Sequence, residues 1–261
     1  MADREKILRY FRASEDGELA ARLLDLAEGA RRSGKFRVTE FLDPHGLSVA
    51  EVVAANFEGL RLEEDGGFCH AERVRAAFVA DEFGGQPDFG LVCLELVWDK
   101  RFYELGHRDV LGAFTGTGCK RSSLGDIVFT DAGAQLVADR VLADFLLVNF
   151  TAVGGATVSV SEIGRESLQQ REEKVKEISA TVADLRLDAV AAAGYGISRS
   201  RMAEEIKGQN VKLNWQVARK AAQPVVEGDV ISFRGRGRVE VAEVRGTTKK
   251  GRTGLLLKRF V

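Results

Sequence analysis

The chain has 261 residues, 45% hydrophobic and 30% charged, with a formal net charge of −1. That length allows two or three small domains, and no apolar run approaches the roughly 20 residues that a membrane span needs. The first residues are rich in Asp and Glu with no apolar segment, unlike a secretory signal or transit peptide, and Cys69, Cys93 and Cys119 are too few and too scattered for a disulfide framework or a CxxC metal pair. Reduced thiols in a cytosolic, monomeric protein are the expectation.

In residues 4–32, Ile7, Leu8, Phe11, Leu19, Leu23, Leu24 and Leu26 recur at helical spacing, and Gly29 and Gly34 are expected to close the segment. Residues 35–42 alternate and predict a strand ended by Asp43-Pro44. Ser48 predicts the cap of a helix running through Val53 to Phe57. Residues 60–64 predict a strand, Asp65-Gly66-Gly67 a turn, and residues 71–79 a helix. Residues 1–85 are thus expected to form a small α/β domain, with Gly84-Gly85-Gln86-Pro87 at its boundary.

Residues 86–165 predict strand 91–98, helix 108–114, strands 126–130 and 134–139, helix 141–150 and strand 157–161. The order βαββαβ is the ferredoxin-like plan that RRM modules share. The aromatic strand with which RRM modules stack bases has no counterpart here. Residues 166–181 are polar and charged and are expected to be a linker into a last domain, 182–261.

That last domain carries 16 Lys and Arg against 8 Asp and Glu, whereas residues 1–181 carry 22 against 31. The near-neutral total therefore hides a basic end suited to polyanions. Leu187, Val190 and Ala191 share one helical face, and Gly194 and Gly196 are expected to stop that helix. Ser198 has the chemistry of an N-cap, Met202, Ala203 and Ile206 form a second apolar face, and Gly208 is the natural residue after the helix. Val211, Leu213 and Trp215 alternate with Lys212, Asn214 and Gln216, the period of a half-buried strand. Strands are also predicted at 230–234, 238–245 and 254–260. Outside the apolar faces remain Arg186, Ser198, Arg199, Ser200, Arg201, Lys207, Lys212, Asn214 and, further on, Lys220. Arginines and lysines with short polar groups suit phosphate and ribose oxygens, so these nine are the candidate phosphate and ribose contacts. Trp215 either stacks on a base or packs on the domain's own sheet, and Tyr195 has the same two options.

This stretch resembles the S4-type RNA-binding domain in Arg186-Leu187-Asp188, Ser198-Arg199-Ser200, Ile206, Gly208, Val211 and Asn214. It departs from the common pattern at Trp215, where Gly usually follows the Asn. Residues 107–127, HRDVLGAFTGTGCKRSSLGDI, resemble a signature of the bacterial YlmH family, which also couples an N-terminal part, a middle domain and an S4-type domain. Val211-Lys212-Leu213-Asn214-Trp215 and the basic stretch from Arg234 to Arg252 resemble the cyanobacterial and plastid branch called photosystem II S4 domain proteins. The resemblance implies binding of structured RNA, ribosomal RNA or tRNA, on a large ribosomal subunit. Secondary contacts are expected at His107, Arg108, Lys120, Arg121, Arg236, Arg238, Lys249, Lys250 and Arg252.

Enzymatic signatures are incomplete. His107-Arg108-Asp109 lacks the Asn of a kinase catalytic loop, since Phe114 stands there, and Gly116-Thr117-Gly118 is not followed by a third Gly at Arg121. Cys69-His70 has no second ligand pair. The reading is an α+β, non-catalytic RNA-binding protein without cofactor or metal. The alternatives are an accessory to RNA modification and an assembly factor of photosynthetic cells that binds protein.

Overall fold

The computed structural model describes residues 4–11, 16–169, 175–248 and 251–260, and its elements sort into two units, 1–171 and 172–261. The first unit begins with α1 (Arg4–Phe11) and α2 (Gly17–Ser33), then β1 (Phe36–Leu42), α3 (Pro44–Ala55), β2 (Leu60–Asp65) and β3 (Val74–Ala80). The three strands form an antiparallel sheet in the order β1-β3-β2. Leu23, Leu24, Val49 and Val53 from α2 and α3 bury Phe78 and Ala76 of its central strand.

Three local expectations are corrected here. Residues 74–80 are a strand, not part of a helix, because β3 is buried on both faces and so shows no alternation to read. The cap of α3 is Asp43, whose carboxylate accepts a hydrogen bond from Gly46 N at 2.8 Å with Pro44 in the first turn; Ser48 lies inside the helix and donates to His45 O. Gly29 is also interior, and α2 ends at Gly34, which takes the left-handed φ of 62°.

The unit continues with β4 (Leu91–Val97), α4 (His107–Gly116), β5 (Leu124–Phe129), β6 (Gly133–Asp139), α5 (Ala143–Asn149), the two-residue pair β7 (Ala152–Val153) and β8 (Ala156–Thr157), and β9 (Ser159–Ile163). The sheet order β5-β6-β4-β9, antiparallel throughout, is the ferredoxin-like arrangement expected from the βαββαβ pattern. One face buries Leu94, Leu96, Leu136 and Ile127 with Val110 and Phe114 of α4 and Leu146 and Phe150 of α5. The other face is covered too. Cys93, Val128 and Val137 meet Phe41 and Phe68 from the first ninety residues. Buried Gln135 donates to Ser167 O at 3.1 Å and accepts from Gln169 N at 2.7 Å, which lays the segment after β9 across the same side. This is the face on which RRM modules stack bases, and here it is occupied by protein.

The second unit contains β10 (Val175–Val182), α6 (Leu187–Tyr195), α7 (Arg199–Lys207), β11 (Val211–Leu213), β12 (Gln216–Val217), β13 (Val230–Phe233), β14 (Gly237–Thr247) and β15 (Thr253–Phe260). All six strands join one antiparallel sheet, β10-β15-β14-β13-β11-β12. Part of the expected linker is therefore an edge strand: β10 pairs with β15 without interruption from Val175↔Phe260 to Val182↔Thr253. Leu187, Val190, Ala191, Met202 and Ile206 of the helices bury Val239, Val241, Leu255 and Leu257 of the sheet.

Gly194 does not stop α6. It lies one residue inside the helix end, and a Cβ there would come within 2.8 Å of Val239 Cγ1, so the glycine lets helix and sheet approach; Gly196, with φ 66°, is the stop. Gly208 has an ordinary φ of −75°, and the left-handed position falls to Gln209 at 59°. We expect Gly194→Ala to destabilise the fold by about 1–3 kcal/mol through overpacking. Gly112→Ala in the exposed middle of α4, where nothing lies within 4 Å of the added carbon, should stabilise by about 0.5–1 kcal/mol. Urea denaturation of the two full-length variants, followed by circular dichroism, checks the pair; shifts of the same sign would contradict the packing role of Gly194.

Candidate nucleic-acid interface

The candidate interface lies at the two helices of the second unit. Ser198 caps α7, its Oγ accepting from Arg201 N at 3.3 Å, and so holds Arg199, Ser200 and Arg201 in one exposed first turn. The chain returning from the sheet lies antiparallel to the start of α6: Leu187 N donates to Gln223 O, Asp188 N to Ala221 O, and Val225 N to Leu185 O. That return brings Lys220 beside the α6 N-terminus. Lys207 closes α7, and Lys212 points away from the core between buried Val211 and Leu213; both are exposed.

At the centre lies an acid, Asp188, only 6% exposed. It accepts from Arg186 Nε at 3.2 Å and Nη2 at 3.1 Å, and from Arg199 Nη2 at 3.2 and 3.0 Å. Burial pushes its carboxyl up, but hydrogen bonds from Arg186 and then Arg199 outweigh that, and the group lies below its ordinary value. The stability it contributes is present above the unfolded-state value near 3.8 and is lost as pH falls through the lower folded value.

Other expected contacts are spent inside the protein. Asn214 donates from Nδ2 to Asp229 Oδ1 at 2.8 Å and accepts at Oδ1 from Val230 N at 2.9 Å, so its amide clamps a turn. Strand β11 ends at Leu213, which pairs with Gln216, and Asn214 and Trp215 are the two central residues of the hairpin, with φ 48° and 64°. These are the angles of a type I′ turn, which explains why Gly commonly follows the Asn. Trp215 is thus a half-buried turn residue rather than a strand residue. Tyr195 is core: 3% exposed, its hydroxyl lies 2.7 Å from Ile231 O and 3.0 Å from Gly237 O, and its ring stands edge-on to Phe233.

Among the secondary residues, His107 and Arg108 are exposed at the first turn of α4, where Asp109 accepts from Gly106 N, and Lys120 is exposed. Arg121 is not a surface cation. Its Nη1 donates to Leu124 O at 2.5 Å, and burial, with neighbouring Arg73, lowers its pKa to about 10. Arg236 lies over the Phe233 ring and Arg238 over Phe260, at 5.6 and 4.4 Å. Arg252 donates to Thr181 O at 2.6 Å, and Lys249 and Lys250 lie outside the described residues. Among the described residues no helix is long and apolar enough to cross a membrane, and no three His, Cys, Asp or Glu side chains are grouped to hold a metal.

Three family models match successive parts of the chain: "YlmH, N-terminal" over residues 15–83, "Putative RNA-binding domain in YlmH" over 85–167, and "S4 domain" over 185–231. The Bacillus subtilis (strain 168) protein named "Ribosome-associated protein quality control protein P2" is 34% identical over 226 residues, covering 86% of this chain and 88% of its own. The chain belongs to the YlmH family. Among solved structures, "Cell division protein ylmH from Streptococcus pneumoniae" matches with a TM-score of 0.50 and 24% identity, over 59% of this chain and 95% of that one; at this identity the likeness concerns the fold alone.

For this YlmH-family chain, the buried Tyr195 yields a pH test. Burial raises its pKa above the ordinary 10.0, outweighing the backbone hydrogen bond and Arg259. Above pH 10 the unfolded chain holds fewer protons than the folded one, so stability falls as pH rises. Tyr195→Phe should cost about 1 kcal/mol near neutrality and flatten that alkaline slope. Urea midpoints from pH 7 to 11 check this; a variant with the parent's slope would contradict the assignment.

Proposed function

We propose that this chain is a non-catalytic RNA-binding protein that grips structured RNA, ribosomal RNA or tRNA on the large ribosomal subunit, through its second unit. The observation that carries the reading is the set of solvent-facing basic residues on and beside the helix pair, exposed Arg199, Arg201, Lys207, Lys212 and Lys220 with half-buried Arg186, on elements whose apolar sides are consumed by the core. Such side chains reach phosphate oxygens more readily than base edges, so the feature recognised is shape, an A-form helix broken by a bulge or loop. The ribosome enters through the name of the Bacillus relative. His107, Arg108, Lys120, Arg236 and Arg238 are proposed as secondary contacts. The resemblance of Val211 to Trp215 to the cyanobacterial and plastid branch supports a photosynthetic host as a finer reading.

A second reading, an assembly factor that binds protein, is favoured by one observation. Val141, Phe145 and Val148 recur at helical spacing around α5 and are 86%, 40% and 71% exposed. Crosslinking the protein to RNA in cells and mapping the sites separates the two: crosslinks concentrated on residues 182–261 support RNA binding, and their absence favours the protein partner.

Phosphate reading also sets a salt dependence. About five contacts imply that log affinity falls against log salt with a slope of roughly −3 to −4. Lys207→Gln and Lys212→Gln should each lower that slope by somewhat under about one unit and leave the preference among RNAs unchanged. Arg201→Glu should weaken binding to every RNA with the circular dichroism spectrum intact. Arg199→Glu should also lower the melting temperature, because it strips Asp188 of a partner. Filter binding across salt concentrations checks the series; a flat response in the parent would refute phosphate reading.

A further inference from the structure

An acid at the heart of a phosphate-binding surface repels the ligand, and the RNA-binding reading gives Asp188 no task. Its geometry does. Oδ1 takes Arg186 Nε and Arg199 Nη2, while Oδ2 takes Arg186 Nη2 and Arg199 Nη2, all between 3.0 and 3.2 Å. The carboxylate side chain is 8% exposed, whereas the two arginines are 40% and 48% exposed. Arg186 thus presents one edge to the acid and keeps Nη1 for another ligand. Arg199 reaches the acid through Nη2 alone and keeps Nε and Nη1.

We propose that Asp188 is a positioning residue for RNA, holding Arg186 and Arg199 as one clamp for a single phosphodiester. The proposal rests on the RNA-binding reading above and goes on to assign the stoichiometry of its central contact. Two guanidinium groups and one carboxylate leave a net charge of +1, which one phosphodiester neutralises. A free arginine loses rotamer freedom when it binds; here the carboxylate has already taken that freedom, so less is lost at the moment of contact. The N-terminus of α6, where Asp188 is the second helical residue, favours the same carboxylate and keeps it in place. The Arg-Leu-Asp run at 186–188 therefore fits as a unit: Leu187 anchors in the core, and its neighbours set the clamp.

Charge counting and positioning give opposite signs for one substitution. Asp188→Asn removes a negative charge, so charge alone predicts tighter binding. Positioning predicts weaker binding, on the order of tenfold, because the arginines are released. It also predicts a salt slope shallower by about one unit, since one phosphate contact is lost. The experiment is filter binding of the full chain to fragmented large-subunit ribosomal RNA across salt, at a temperature where circular dichroism shows each variant folded. Arg199→Lys is measured beside it. It keeps the charge and leaves Arg186 bidentate on the carboxylate, so it carries the test if Asp188→Asn does not fold. A comparable loss and a shallower slope are expected for Arg199→Lys as well. Equal or tighter binding by Asp188→Asn, or parental affinity and slope in Arg199→Lys, overturns the clamp while the parent still binds. A parent with no salt-dependent binding overturns the RNA-binding reading itself, and is told apart from failure of the clamp by the parent alone.

Discussion

Removing a carboxylate from water costs several kcal/mol unless other charges and hydrogen bonds replace the solvent. Asp188 is placed in that situation, and its replacements are two guanidinium groups and a helix N-terminus. The same contacts hold Arg186, before α6, to Arg199, at the first position of α7. A short chain of dependences follows. The apolar faces of the helices bury against the sheet, which fixes the angle between them; that angle brings Arg199 back to Asp188; and the acid then aims both arginines outward. Arg186 and Arg199 are therefore ordered by the core through this acid, and the two cannot be treated as independent solvated side chains.

The first unit shows the opposite use of arginine. Arg73 donates to Leu124 O and to Phe41 O, Arg75 to Thr39 O and Gly90 O, and Arg121 to Leu124 O. These guanidinium groups satisfy backbone carbonyls where the three-stranded and four-stranded sheets of that unit meet, and their charge is held inside the protein rather than offered to a ligand. With Phe41 and Phe68 against Cys93, Val128 and Val137, they close the ferredoxin-like sheet on its second side. A fold that elsewhere presents this face to RNA has it used here for internal packing, so the fold by itself does not carry that binding mode over to this unit.

Much of the architecture is legible in the sequence. Period-two and helical patterns located the βαββαβ order, the two helices of the basic unit and the N-cap at Ser198. Errors fell where local signals compete with burial. Residues 71–79 read as helical because β3, a strand buried on both faces, loses its alternation. Ser48 has cap chemistry, but Asp43-Pro44 offers the stronger cap and takes the position. Residues 175–181 read as part of a linker because the charged residues around them hide the alternation that turns Ile178 and Val182 toward the core. Among the site residues, Arg186, Arg199, Arg201, Lys207, Lys212 and Lys220 lie on or beside the helix pair as expected, whereas Asn214 and Arg121 are occupied by internal hydrogen bonds.

The sequence by itself determined the kind of chain this is: the charge asymmetry, the pairing of apolar faces with a basic edge, and the run of motifs that place it in its family. These depend on composition and on spacings of a few residues, and both survive in one dimension. The tertiary structure decided which polar groups are free. Whether an arginine faces solvent, a carbonyl or a buried acid depends on partners far along the chain, such as Asp188 for Arg199, eleven residues away, and Leu124 for Arg73, 51 residues away. No local pattern encodes those distances, because they arise only when distant faces pack and exclude water from between them.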